Sequence, residues 1–351
     1  MEKTSGLFFF CLCVILSLGV KEVQAGSGDE GQHRRRIGRI RKLFVFGDSY
    51  ADTGNIRKPV GDSWKVPYGI TFPGKPSGRF SDGRVMTDFL AFYMGIRTPI
   101  PYQREDLGPR VRRFGINFAY GGAGVFDTVF GFPNLTTQID FFHQLLHQGL
   151  YTKQDIKKSL AFVSIVGNDY TTYEVRNGSI EGAPIFVGSV VREIAANIKR
   201  LSDLGFRRIA VNGLQPIGCL PDATRSSGYK NCNATSNRLA TLHNGLLRLS
   251  VKQLNGNENG SRIVIFDLFD AFNSILKNPG TWKFENPLTP CCMGVTSAFT
   301  CGSVDGNGKK LYTECQEPRT ALFWDGVHPT QMGWAAISSY VKSTLYDIIS
   351  S

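Results

Sequence analysis

Histidine is scarce: five occur in 351 residues, so few side chains are candidates for a general base at neutral pH. No stretch beyond the N-terminal segment stays apolar over the ~20 residues a membrane-spanning helix needs. Collagen-like glycine periodicity, internal repeats and a Pro/Gly/Ser-rich linker dividing the chain are all missing. The cysteines lack the C-x2-C spacing of a zinc knuckle. Charge of neither sign dominates: 40 Lys and Arg against 29 Asp and Glu leave +11. That is basic, but the basic N-terminal segment carries no interleaved aromatics, so nucleic acid is not an expected partner. What is present, 42% hydrophobic and 20% charged residues, is globular and too apolar to remain unfolded.

Met1 to Ala25 reads as a secretory signal. Glu2 and Lys3 precede an apolar run from Leu7 to Val20, and Val23-Gln-Ala25 suits signal peptidase. The chain closes on Ile-Ile-Ser-Ser351, without an ER-retention tetrapeptide, so secretion to the extracellular space is expected. Cys11 and Cys13 leave with the signal. Cys219, Cys232, Cys291, Cys292, Cys301 and Cys315 remain, an even number for disulfides in an oxidising compartment. The pairing stays open, except that the adjacent Cys291 and Cys292 are expected to bond elsewhere than to each other. Sequons at Asn134, Asn177, Asn233 and Asn259 fit the same route and predict surface positions. Residues 26–42 form a basic arm, with Arg34, Arg35, Arg36, Arg39, Arg41 and Lys42 against Asp29 and Glu30. It reads as a solvated arm ahead of the first strand; the sharper reading is contact with an acidic cell-wall or membrane surface.

Beyond the arm, continuous apolar runs at 43–46, 161–166, 208–211 and 262–266 each end in a turn. Runs without alternation predict strands buried on both faces, hence a parallel sheet. Helical periodicity covers 138–148, 187–204, 236–254 and 331–349. The alternation predicts an open α/β sandwich in one domain, residues 43–351, with loop-rich insertions at 56–80 and 278–322.

Ligands of such sheets bind outside the carboxyl ends of the strands. Ser49 follows the first run in Phe46-Gly-Asp-Ser-Tyr50, but a serine needs a base to act as a nucleophile. His328 lies in Asp325-Gly-Val-His-Pro329, where one turn can fold Asp325 against its Nδ1 and leave Nε2 for the serine. His143 and His147 have the spacing of a zinc pair, without an intervening Glu or a third ligand, and His243 reads as a packed or surface helix residue. The glycine cluster ending Asn117-Phe-Ala-Tyr-Gly-Gly-Ala123 and Asn168 in Gly167-Asn-Asp169 offer N–H donors for an oxyanion. Asp52-Thr-Gly54 spells the aspartic-protease triplet, but no second copy exists to share a proton with it. Tyr50, Phe72, Phe80, Tyr120, Phe126, Phe323 and Trp324 are read either as an acyl groove or as core.

Together these blocks, in this order, resemble the plant secreted branch of the GDSL esterase/lipase family within the SGNH hydrolases. The resemblance covers nearly the whole chain beyond the signal. Its one visible departure is Tyr50, where the name-giving motif has Leu. It implies a three-layer, flavodoxin-like sandwich with a mostly parallel central sheet, and ester hydrolysis in the cell wall or apoplast without cofactor or metal. It implies Ser49 as nucleophile, His328 as base and Asp325 as its orienting partner. The oxyanion donors would be Ser49, Gly121 and Asn168, with Gly122 the alternative to Gly121. The substrate would be a lipid, a small acyl ester or a wall polysaccharide ester. An acyltransferase using the same triad on a wall or lipid alcohol, and a non-catalytic binding protein on the same fold, are the rival readings.

Overall fold

A computed structural model describes residues 40–108, 112–256 and 260–350. The expected signal segment, the expected arm as far as Arg39, and Asn259 lie outside them.

The apolar runs form a six-stranded sheet: β1 (Lys42–Gly47), β2 (Ile100–Pro101), β3 (Ile116–Asn117), β4 (Ser159–Ser164), β5 (Arg208–Asn212) and β6 (Arg262–Phe266). Its order is β2-β3-β1-β4-β5-β6, and every neighbouring pair is parallel. Successive side chains of a strand point to opposite faces, so the continuous runs divide cleanly between two cores. Leu43, Val45, Leu160 and Phe162 face one; Phe44, Phe46, Ala161 and Val163 face the other.

The longer helices are α1 (Met86–Tyr93), α2 (Leu135–His147), α3 (Asn168–Val175), α4 (Ala183–Asp203), α5 (Ala234–Gly256), α6 (Leu268–Lys277) and α7 (Gln331–Ser350). The first core packs under α1, α6 and α7, the second under α2, α4 and α5. This is the expected three-layer sandwich. The expected helix at 138–148 begins earlier, because Asn134 caps α2 by accepting from Thr137 N–H.

From β1 the chain first winds to β2 and β3 on one side, then crosses to β4 on the other. The carboxyl end of β1 is therefore the topological switch point of the sheet, where a crevice opens.

The two insertions differ from plain loops. Residues 56–80 are mostly turns, with cis peptide bonds before Pro59, Pro67 and Pro73. Residues 278–322 hold an antiparallel pair, β7 (Cys292–Gly294) and β8 (Tyr312–Glu314). Disulfides Cys291–Cys315 and Cys292–Cys301 tie that insertion, and Cys219–Cys232 closes the third. Among the described residues no helix is long and apolar enough to cross a membrane.

Candidate active site

Ser49 sits in the turn leaving β1. Gly47 takes φ +155°, and a Cβ there would lie 2.2 Å from the Ser164 carbonyl oxygen, so the close approach of β1 to β4 requires glycine. Gln138 of α2 holds the same residue on both sides, accepting from Gly47 N–H at 2.7 Å and donating to its carbonyl at 2.9 Å. Asp48 then bridges the strand ends: its carboxylate accepts from Val166 N–H at 2.7 Å and Tyr50 N–H at 3.1 Å. Burial pushes the Asp48 carboxyl up to about 7 despite these bonds and the nearby His328.

His328 reaches Ser49 across 279 residues of sequence: Nε2 lies 2.7 Å from Ser49 Oγ. Its Nδ1 lies 2.8 Å from each Asp325 oxygen. A carboxylate only accepts, so Nδ1 carries the proton and Nε2 accepts from the serine hydroxyl. Asp325 also accepts from Val327 N–H and His328 N–H, and from the Tyr68 hydroxyl at 2.7 Å. Burial alone would raise the Asp325 carboxyl; His328 and these donors hold it below its ordinary value. The loop carrying both residues is pinned by Trp324 N–H to the His328 carbonyl at 2.7 Å, and by Thr330, whose Oγ1 caps α7 through Gly333 N–H.

Tyr50 does more than line a wall. Its hydroxyl donates to the Val327 carbonyl at 2.8 Å, and its ring packs edge-on against Trp334, tying the serine turn to the histidine loop. Neither Tyr50's bond nor Tyr68's could be read from sequence, since each joins segments more than 250 residues apart. The separation was the obstacle; the only local signal was a tyrosine in place of leucine.

The glycine cluster after β3 is stitched to the serine turn by buried polar side chains. Asn55 Nδ2 donates to the carbonyls of Asn117 and Ala119, and Asn117 Nδ2 to that of Ala51. Asp52 accepts from Gly54 and Asn55 within the turn, and also from Gly121 N–H at 3.0 Å. Burial raises the Asp52 carboxyl to about 6 even so. The Gly121 N–H is thus spent on Asp52. The N–H groups of Ser49 and Gly122 have no partner among the described residues. Gly122 adopts φ +82°, the left-handed region open to glycine. Asn168 opens α3 with one amide hydrogen donated to the Ala123 carbonyl at 2.9 Å and a second left to give.

The remaining expectations sort by packing. Phe80 lies against the His328 ring, centroids 5.0 Å apart, and lines the cleft. Phe323 and Trp324 are core, and Tyr120 is buried. Phe126 lines a separate cavity, and Phe72 stacks under Arg84. His243 is buried against the Tyr170 hydroxyl at 2.6 Å, with its pKa pushed down by burial to about 4. Asn177 and Asn233 are exposed; Asn134 is half-buried, its amide donating to Asp127.

Ser49, Gly122, Asn168 and His328 front a cleft of about 520 Å³. A hydroxyl bonded to an oriented imidazole, beside convergent N–H donors, can attack a carbonyl and hold the resulting oxyanion.

Comparison with known proteins gives the family. Residues 43–341 match the family of GDSL-like lipases/acylhydrolases. A GDSL esterase/lipase of Arabidopsis thaliana is 48% identical over 345 residues, covering 96% of each chain. Acetylajmalan esterase 2 of Rauvolfia serpentina is 30% identical, over 85% of this chain and 88% of its own. Among solved structures, an acetylxylan esterase of Geobacillus stearothermophilus aligns over 87% of this chain and 94% of its own, at 15% identity and TM-score 0.41. The chain belongs to the GDSL esterase/lipase family and is a carboxylic ester hydrolase.

Proposed function

We propose that hydrolysis runs through a Ser49–His328–Asp325 triad and an acyl-enzyme. The observation that carries the reading is the 2.7 Å contact between Ser49 Oγ and His328 Nε2. Ser49 Oγ attacks the ester carbonyl carbon as its proton passes to Nε2. The carbonyl electron pair becomes an oxyanion held by Ser49 N–H, Gly122 N–H and the free Asn168 amide hydrogen. The carbon–oxygen bond to the alcohol then breaks, and Nε2 returns the proton to the leaving oxygen. Water repeats the sequence: Nε2 takes its proton, the hydroxide adds to the acyl carbon, and Ser49 departs with the proton restored. Asp325 stays ionised and stabilises the imidazolium. Gly122 replaces Gly121 as donor because Asp52 already holds the Gly121 N–H.

The protein works outside the cell, a reading supported by three disulfides and by the signal-like N-terminus. The basic residues ahead of β1 would meet an acidic wall or membrane surface there; Lys42, expected in the arm, instead opens β1 and pairs with Asp155.

The test is hydrolysis of p-nitrophenyl esters by secreted protein beside Ser49→Ala, with folding checked by circular dichroism. The expected result is a loss of about 10⁴-fold or more in kcat. Undiminished turnover in the folded variant would remove Ser49 from the mechanism.

A further inference from the structure

Ser49 sits where two cavities meet. One, of about 310 Å³, is lined by Tyr170, Glu174, Gln215, Ile217, Leu220 and Ala223. The other is the 520 Å³ cleft, walled by Phe80, Phe130, Phe132, Met293, Phe299 and Arg225. Ser49, Asn168, Thr171, Asp222 and Val327 line both, whereas His328 and Gly122 line only the larger.

We propose that the two cavities divide the ester: the smaller takes a short acyl group, the larger a bulky, ring-bearing alcohol. The assignment rests on the triad reading above and follows from the tetrahedral carbon. Its four substituents are Ser49 Oγ, the oxyanion, the leaving oxygen and the acyl carbon. The oxyanion must lie on the N–H donors, and the leaving oxygen must lie against His328 Nε2, which protonates it. Both groups front the larger cavity, so the alcohol departs through it. The acyl carbon takes the remaining direction, toward the cavity that shares Ser49 and Asn168 but neither His328 nor Gly122.

The walls match that division. The residues lining the smaller cavity include two buried polar groups, Asp48 at 1% and Gln215 at 2% exposure. Gln215 Nε2 donates to the Val166 carbonyl, and its Oε1 has no partner among the described residues. The smaller volume and these polar groups favour a short acyl chain, since a longer one would lay its methylenes against them. The larger cavity offers aromatic faces for a ring to stack on.

The experiment uses two ester series: p-nitrophenyl acetate, butyrate, octanoate and palmitate vary the acyl group, and methyl, p-nitrophenyl and 2-naphthyl acetate vary the alcohol. Wild type is expected to fall in kcat/KM by about tenfold or more from butyrate to octanoate, and to prefer the ring-bearing acetates over methyl acetate. Ile217→Trp, at the half-buried wall of the smaller cavity, should steepen the acyl ranking by a further tenfold or so and leave the alcohol ranking in place. Phe130→Ala, in the larger cavity, should flatten the alcohol ranking and leave the acyl ranking in place. Glu174→Trp, on exposed α3 at the same small cavity, serves if Ile217→Trp does not fold. A wild type that prefers palmitate, or variants whose effects fall on the opposite series, would overturn the division while the esterase reading stands. Activity equal in Ser49→Ala across both series would instead overturn the triad reading, and the division with it.

Discussion

At the scale of single residues, the site separates side chains that touch the reacting atoms from those that hold them. In the proposed mechanism Asn168 is of the first kind: its amide has one hydrogen on the Ala123 carbonyl and one to give. Asn168→Ala should cost about 10²–10³ in kcat with KM little changed, because the donor acts on charge that exists only in the transition state. Single-turnover kinetics on the folded variant would check it, and a loss confined to KM would argue for substrate binding instead. Asp52 belongs to the second kind. It organises the turn after Ser49 and fastens the glycine cluster through Gly121. The turn itself is local, since Asp, Gly and Asn are turn formers. The bond to Gly121 is not, since it crosses 69 residues. That one carboxylate occupies the Gly121 N–H, which is why the proposed mechanism uses Gly122, a choice that spacing leaves open.

Among elements, strands were read more faithfully than short connections. Long apolar runs identified β1, β4, β5 and β6, whereas β2 and β3 have only two residues each, too few for any periodicity to register. Helix α6 was missed although its signal is present: Leu268, Ala271, Phe272 and Ile275 recur at helical spacing and are all buried. The 278–322 insertion is stapled beside the site, with Cys292 and Cys301 among the residues lining the larger cleft. Replacing both Cys292 and Cys301 by Ser should lower stability by about 2–4 kcal/mol. Urea unfolding read by Trp fluorescence would measure this; an unchanged midpoint would show that β7 and β8 hold the insertion without the bridge.

Over the whole molecule, buried carboxyls set the response to pH. Asp48 and Asp52 are pushed up by burial to about 7 and 6. Between about pH 4 and those values the native state keeps protons that the unfolded chain releases, so their contribution to stability falls as pH rises through this window. Asp88 and Asp325 act oppositely. Burial opposes their ionisation, but Arg79 beside Asp88 and His328 beside Asp325 outweigh it and hold both carboxyls low. Their contribution is present above about pH 4 and is lost as pH falls through the lowered folded value. His243, lowered by burial to about 4, opposes this trend between about pH 4 and 6.5, but the two raised carboxyls outweigh it, so thermal melting should give a higher Tm at pH 5 than at pH 8. Asp48→Asn should shrink that difference, each pKa unit being worth about 1.4 kcal/mol. Equal pH slopes in the two proteins would show that the Asp48 carboxyl titrates as an ordinary one.

The sequence by itself determined what local chemistry can encode: strands buried on both faces, a glycine-aspartate-serine turn, and an Asp325 three residues before His328, close enough for one turn to join them. It also supplied the six cysteines whose pairing it left open. Only the tertiary structure shows His328 within hydrogen-bond distance of Ser49, which glycine amide is free, and how Tyr50 and Tyr68 brace the Ser49 turn and Asp325. The physical reason is distance along the chain. Contacts of 69 to 279 residues' separation exist only once the parallel sheet has brought its strand ends to one crevice.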